Sequence, residues 1–515
     1  MAVARPSRPS RPSRPSRLAL GGALALSGAL ALSAGAALGA PLTLSDVLSC
    51  ARRNNPAHDA ARAQALDAAA QLTAAQMSVF PTISVSGGAS PLPARRLLQY
   101  CVGDNDRVVV CPDQEINDDQ RLSQVDDMGI FVRAQVTLTQ PLYTFGKISH
   151  ARAAAEAGAR AYESGASYAE RALDERAFEA YLGLQLSAQV EKVFERGRAE
   201  LGKFKRRVEE SLRDERGDYT SNDLRRLVIQ DADLTARELE VQALRTQALA
   251  GVRVGCALPP SAEVLLAEGR LKPYALTLPP LEELWGVARR ERLDLRGLRE
   301  GVEARESLAR KAVADQLPNI ALLGLFTYSL GTSADNSPDP FANDPFNTLG
   351  YGFMFGLDWR VSLSELLSSP ARADAALIKA RAELAGREQE AYLALSERHA
   401  QVRRYEGTLA ARAEAARAGK QWMVATLMSK SVGILTSDQA TQSLAGYFTS
   451  SLAHEQSIFE YNMAVARLWA AAGLDLAALA AGDLGALAGA LGAPAALPTG
   501  VAPSPSSPPP AQDSP

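Results

Sequence analysis

Two periodicities alternate along this chain, and their order occurs twice. From Leu44 an Ala-rich amphipathic run with helical spacing passes Asn54-Asn55-Pro56 and ends at Phe80-Pro81, where the period shortens to two. Thr82-Ile83-Ser84-Val85-Ser86 puts Ile83 and Val85 on one side. After a long polar stretch, Val132, Ala134, Val136 and Leu138 alternate with Arg133, Gln135, Thr137 and Thr139. Helical spacing then returns over roughly 147–215 and 220–250. The second half follows the same plan. Its amphipathic run passes Arg292-Leu293-Asp294-Leu295 and ends at Leu317-Pro318, after which Ile320, Leu322, Gly324, Phe326 and Tyr328 share a face. Tyr351, Phe353, Phe355, Leu357 and Trp359 then alternate with Gly352, Met354, Gly356, Asp358 and Arg360, before helical patterns over roughly 371–430 and 434–472. Pro56 to Pro81 and Leu293 to Pro318 are both 25 residues, so the halves align at a shift of 237 (293 minus 56). That shift sets Leu44 on Leu281, Val47 on Leu284 and Ala51 on Ala288. Such spacing between dissimilar sequences marks an internal duplication.

The pattern predicts a first repeat over 40–257, with strands near 82–90 and 130–140 and a helix reversal near 215–223. A linker follows over 258–278, bounded by Leu258-Pro259-Pro260 and Leu278-Pro279-Pro280. The second repeat spans 279–473, with strands near 319–329 and 350–360 and a reversal near 430–438. The Ala/Gly-rich and then Pro/Ser-rich tail, 474–515, is expected to be disordered, and Asp475 and Asp483 make it a poor membrane span. At the other end, Arg5, Arg8, Arg11, Arg14 and Arg17 precede an apolar run from Leu18 to Leu38, and Ala37-Leu38-Gly39 offers a small-x-small cleavage site. This reads as a secretory signal peptide over 1–39, the alternative being an N-terminal membrane anchor. Its removal takes five arginines and no acids, changing the net charge from −3 to −8. Nothing in that balance points to a nucleic-acid partner.

Export gives the strands a second possible environment. Their apolar sides carry Phe353, Phe355 and Trp359, the opposite sides carry Arg133, Gln135, Asp358 and Arg360, and the lengths approach those that cross a tilted bilayer path. Lipid on the apolar side and a polar lumen on the other would explain that distribution. Hydrocarbon requires every backbone polar group to be paired, so such a sheet has to close. Four strands are too few for a barrel, which implies that several copies pool their strands: two copies give eight, three give twelve and a wider lumen. A helix of about 65 residues reaches on the order of 100 Å. Charges such as Glu156, Arg160, Glu163, Glu170 and Arg171 keep these rods out of lipid. The expected fold is therefore mostly α with a small β membrane part, a duplicated helix–strand–strand–helix unit.

Leu44-x-x-Val47-Leu48, Asn54-Asn55-Pro56, Phe80-Pro81, the duplicated Leu317-Pro318, and Gln140-Pro141-Leu142-Tyr143-x-Phe145-Gly146-Lys147 at a strand-to-helix junction resemble the repeated landmarks of the TolC-like outer membrane factors. The resemblance covers roughly 42–473. It implies a homotrimer in outer-membrane lipid, with a twelve-stranded β-barrel continued by a long α-helical periplasmic barrel. It also implies an exit duct that serves a periplasmic adaptor protein and an inner-membrane transporter of RND, ABC or MFS type, in drug efflux or type I secretion. Two departures stand out: Leu293 replaces the Pro of the first repeat, and Trp359-Arg360-Val361 replaces Gln-Pro-Leu. The rival reading is a soluble periplasmic coiled-coil adaptor, which would not need two separated pairs of amphipathic strands.

The sequence carries no catalytic constellation. His454-Glu455 lacks the second His of a zinc helix because Ile458 stands there, and His58, His150, His399 and His454 show no ligand spacing. No phosphate-cradling loop or nucleophile elbow occurs, so no cofactor is expected. Candidate functional residues are instead electrostatic. Arg133, Gln135, Asp358 and Arg360 would face a lumen, and the reversals Gly217–Asp223 and Gly433–Asp438 carry Asp218, Asp223 and Asp438. The resemblance implies that acids at these tips ring the duct's entrance; helix capping is the competing role. Cys101 and Cys111 are the candidate disulfide in an exported chain, whereas Cys50 and Cys256 read as buried small apolar residues.

Overall fold

The computed structural model describes residues 41–491, apart from 94–99, 103–107, 111–127, 215–218, 268–269, 335–343, 345, 432–436, 484–488 and 490. The proposed signal peptide and the Pro/Ser tail lie outside the described residues. The chain enters through α1 (Leu44–Asn54) and α2 (Pro56–Met77). Thr43 starts α1 with a capping box: its hydroxyl accepts from Asp46 N at 3.2 Å and its own N–H donates to the Asp46 carboxylate at 3.0 Å. Asn55 then breaks the helix and caps α2, where Pro56 occupies the first turn and no backbone donor is missed. In the second repeat α5 (Leu281–Glu291) and α6 (Leu293–Ala314) fall at the 237-residue shift from α1 and α2, the difference between 281 and 44. Arg292 replaces the Asn cap and holds its turn differently. It donates to Asp294 at 2.7 and 3.0 Å and to the carbonyl of Ala471 at 3.0 Å.

Between the helix pairs lie the strands β1 (Thr82–Pro93), β2 (Tyr100–Val102), β3 (Val108–Val110), β4 (Met128–Tyr143), β5 (Asn319–Gly331) and β6 (Thr348–Asp358). β1, β4, β5 and β6 form one antiparallel sheet in that order, so each repeat supplies a hairpin and β4–β5 joins the two repeats; β2 and β3 form a separate small ribbon. Four long helices complete the chain: α3 (Lys147–Arg213), α4 (Ser221–Gly255), α7 (Leu363–Ser431) and α8 (Ser437–Ala471). α3 has 67 residues and α7 has 69, each about 100 Å long at the α-helical rise. α7 begins before the expected 371 and carries Pro370 inside it.

The core is not central to one globule but threaded between rods. One cluster joins α1, the middle of α3, the end of α4, α5, α7 and the end of α8 through Val47, Phe178, Val252, Leu284, Leu395 and Val465. A second, farther along α3, gathers Val193, Phe204, Val208, Leu227, Leu444 and Phe448 from α3, α4 and α8. Small residues let the rods approach: a Cβ added at Gly251 would lie 2.9 Å from Ala180 Cβ.

Two expectations need correction. Cys50 and Cys256 are not separate apolar thiols but a disulfide, with Cα atoms 5.1 Å apart, joining α1 to the end of α4 across 206 residues. Neither local context signals the pairing, because it arises only when α1 docks beside the end of the first repeat. The linker over 258–278 packs against the core through its described residues. Leu271 is buried, Leu42 and Leu266 form a parallel bridge, and the buried Asn462 side chain accepts from Tyr274 N at 3.0 Å and donates to Lys272 O at 2.8 Å. Finally, the start of the tail is folded. Asp475 caps α9 (Leu476–Ala480), and Leu476 and Leu479, three apart, bury into the first cluster. An Ala-rich background hid that pair. Cys111 lies outside the described residues, so the proposed Cys101–Cys111 bridge does too.

Candidate functional site: an open-edged sheet above helical tips

Strand register determines what each face of the sheet carries. Val85 pairs with Val136, which pairs with Phe326, which pairs with Tyr351, so these four side chains share one face. Ile83, Leu138, Leu322, Phe353 and Phe355 lie on it as well. That face is bare: Val85 is 74% exposed, Tyr351 82% and Phe355 78%. Solvent exposure of a contiguous aromatic and branched surface is unfavourable in water and marks an interaction surface. The opposite face holds Thr82, Ser84 and Ser86 on β1, Arg133, Gln135 and Thr137 on β4, Thr327 and Ser329 on β5, and Gly350 and Gly352 on β6, interrupted by Leu323, Leu325 and Met354. Asp358 closes β6 opposite Asn319 on this same face. Arg360 lies beyond the strand, largely exposed and 3.9 Å from Asp358.

Both edges, β1 and β6, lack a neighbour among the described residues. Along these strands, twelve and eleven residues long, every second residue therefore turns its backbone groups outward along the rim of an apolar sheet. At the helix end the sheet is anchored to the Leu317-Pro318 corner from both repeats. Lys147 Nζ donates to Leu317 O at 2.6 Å, and Trp359 Nε1 donates to Gln316 O at 3.0 Å. Phe145 and Gly146, both at positive φ, turn β4 sharply into α3, with the Tyr143 and Phe145 rings edge to face at 4.6 Å.

At the far end the acids are engaged. Asp223 belongs to a capping box at the start of α4: Thr220 N–H and hydroxyl both donate to its carboxylate at 2.8 Å. Asp438, in the first turn of α8, pairs with Arg226 of α4 and accepts from Gln442 at 3.0 Å. This ion pair ties the tip of the first repeat to that of the second. Asp218 lies outside the described residues.

A second charged cluster, which sequence reading missed, sits where the repeats meet. Arg52 of α1 grips the fully buried Asp174 of α3 through Nε and Nη2, at 3.0 and 2.6 Å, and also pairs with Asp475. Glu170 lies 3.6 Å from Arg52 and 3.5 Å from His58. Burial pushes the Asp174 carboxyl above its ordinary value against the pull of Arg52. Asp475 is also penalised by burial, yet Arg52 and the α9 backbone hold it below its ordinary value. Only the Arg52 residue type hinted at this cluster; its partners are 122 and 423 residues away. Among the described residues, no group of three or more His, Cys, Asp or Glu is placed to hold a metal ion.

The sequence matches no known family profile and no curated protein. The structure does find counterparts. It aligns with the outer-membrane channel OprN at a TM-score of 0.65 and 15% identity, over 84% of this chain and 89% of that one. The outer membrane protein VceC from Vibrio cholerae gives 0.63 and 15%, over 84% and 96%, and the CmeC outer membrane channel of Campylobacter jejuni gives 0.63 and 14%, over 84% and 85%. The fold is that of the outer-membrane channels. In this outer-membrane-channel fold a mostly helical chain carries a small sheet at one end, as the periodicities of the sequence predict. The sheet edges and the tip ion pair thus sit at opposite ends of the helical rods.

Proposed function

We propose that the chain is a subunit of an outer-membrane channel, a passive exit duct in which three copies pool their sheets into a twelve-stranded barrel and their rods into a periplasmic tunnel. One observation carries the reading: a four-stranded sheet, bare and apolar on one face, with both edges unpaired among the described residues. In hydrocarbon each unpaired backbone group costs several kcal/mol, so the apolar face tolerates lipid only when sister chains cover β1 and β6. Eight strands fill their own interior, whereas twelve leave a lumen. The rods are too charged for lipid, and among the described residues no helix is long and apolar enough to cross a membrane.

The duct carries no chemistry of its own, so the driving force comes from an inner-membrane transporter of RND, ABC or MFS type, coupled through a periplasmic adaptor. The fold and the exposed apolar sheet favour this over a soluble adaptor, which has no use for such a surface. Extraction and bilayer recording test it. The full chain is expected to require detergent, to have the mass of three protomers and to conduct in planar bilayers. A monomer that dissolves without detergent and leaves bilayers silent refutes the proposal.

A further inference from the structure

The four long strands contain two charged residues, Arg133 and Asp358. Register puts both on the face opposite the aromatic one, and at different heights. Arg133 stands between Gly88 of β1 and Ser329 of β5, five residues from the loop end of β4. Asp358 stands opposite Asn319 at the helix end. Ser329 and Asn319 are ten residues apart on β5, about 33 Å at the strand rise. Between the two levels the face is uncharged.

The two sites also differ in company. Asp358 has Arg360 nearby. Arg133 is exposed, takes part in no hydrogen bond or ion pair among the described residues, and its cross-strand neighbours are small. A Cβ added at Gly88 would meet nothing within 4 Å, so the space beside the guanidinium is open. An arginine fork in that setting matches the oxygens of phosphate and carboxylate groups.

We propose that Arg133, repeated by the symmetry of the assembly, forms a guanidinium ring inside the strand-walled mouth that binds multivalent oxyanions and favours anion passage there. The inference rests on the channel reading above. The ring lies on the loop side, far from the tip acids, so its occupancy depends on the side from which the anion arrives. Its reach shrinks with salt, from about 30 Å at 0.01 M to about 3 Å at 1 M.

The test is side-specific block of the full-length channel by tripolyphosphate in planar bilayers at low salt. Tripolyphosphate added on the strand side is expected to lower the conductance of the wild type. Arg133→Gln should raise the half-blocking concentration about tenfold or more, as loss of charge-assisted contacts implies, and shift the reversal potential towards cations. Gly88→Glu, which keeps Arg133 and sets an acid beside it, should do the same, and Asp358→Asn should leave the block in place. Gly88→Glu also serves if Arg133→Gln yields no trimer. Block and reversal potential unchanged in a conducting Arg133→Gln or Gly88→Glu channel overturn the ring. A wild-type chain that never conducts overturns the channel reading, and the ring falls with it.

Discussion

Replacing Arg52 by Met should expose how much the junction of the repeats depends on one guanidinium. In the native fold Arg52 donates to Asp174 at 3.0, 3.2 and 2.6 Å, and Asp174 is 0% exposed. The substitution leaves that carboxylate buried without its counter-ion. Breaking a buried pair from one side costs about 3–5 kcal/mol, mostly as the penalty of the stranded charge. Asp174→Leu in the same chain removes the stranded charge, so the double variant should regain most of the loss. Asp475 keeps its own task, accepting from Ala477 N at 2.8 Å at the start of α9. The pH dependence has a definite sign. Burial raises the Asp174 carboxyl above its ordinary 3.8, so the stability it contributes is present below that value and is lost as pH rises through the folded value. Without Arg52 the raising influence is unopposed, and the deficit of Arg52→Met should widen from mildly acidic pH towards neutrality. Guanidinium unfolding of the detergent-solubilised chain, followed by far-ultraviolet circular dichroism, measures all three. A single variant that loses less than about 1 kcal/mol, or a double variant no better than the single, refutes the assignment of a buried, paired carboxylate.

Other expectations are independent of that cluster. Cys50→Ala with Cys256→Ala opens a loop of 206 residues and should cost about 5 kcal/mol on the chain-entropy estimate, read as a lower guanidinium midpoint; an unchanged midpoint denies the bridge a stabilising role. Gly473→Ala places a Cβ 2.6 Å from Arg292 N at a φ of +80, whereas Gly482→Ala, at +77, meets nothing within 4 Å. Both carry the left-handed penalty of about 1–2 kcal/mol, but Gly473→Ala should lower the melting temperature clearly further. Phe353→Lys, at a site 74% exposed on the apolar face, should weaken membrane insertion by about 2–4 kcal/mol per chain if it lies near the bilayer midplane, measured as loss from the detergent-extracted membrane fraction. Arg226→Ala frees Asp438 and unties the tips, so single-channel conductance should rise; unchanged recordings would argue that the ion pair has no part in gating.

The sequence by itself determined the strands' two faces and the repeated plan. Both follow from local stereochemistry: side chains alternate along any strand, so Val136 and Gln135 had to part company, and a proline or capping residue breaks a helix wherever it stands. The shared offset of α1 with α5 and of α2 with α6 was readable for the same reason. Boundaries were readable only where such a signal exists. Pro370 stands just before the expected start at 371, yet α7 passes through it.

What the tertiary structure alone decided is every pairing between distant residues. Cys50 found Cys256, Arg52 found Asp174 and Asp475, Arg226 found Asp438, and 258–278 was laid onto the core by Asn462. None of these has a local signature, because each partner is chosen by how the rods pack and not by the residues beside it. The tip acids illustrate the difference. Their presence at a helix reversal was legible, but whether a carboxylate caps its own helix or bridges to another depends on which rod arrives alongside. The open edges of the sheet belong to the same class: local alternation makes a strand, and only the assembled topology shows that β1 and β6 are left without neighbours among the described residues.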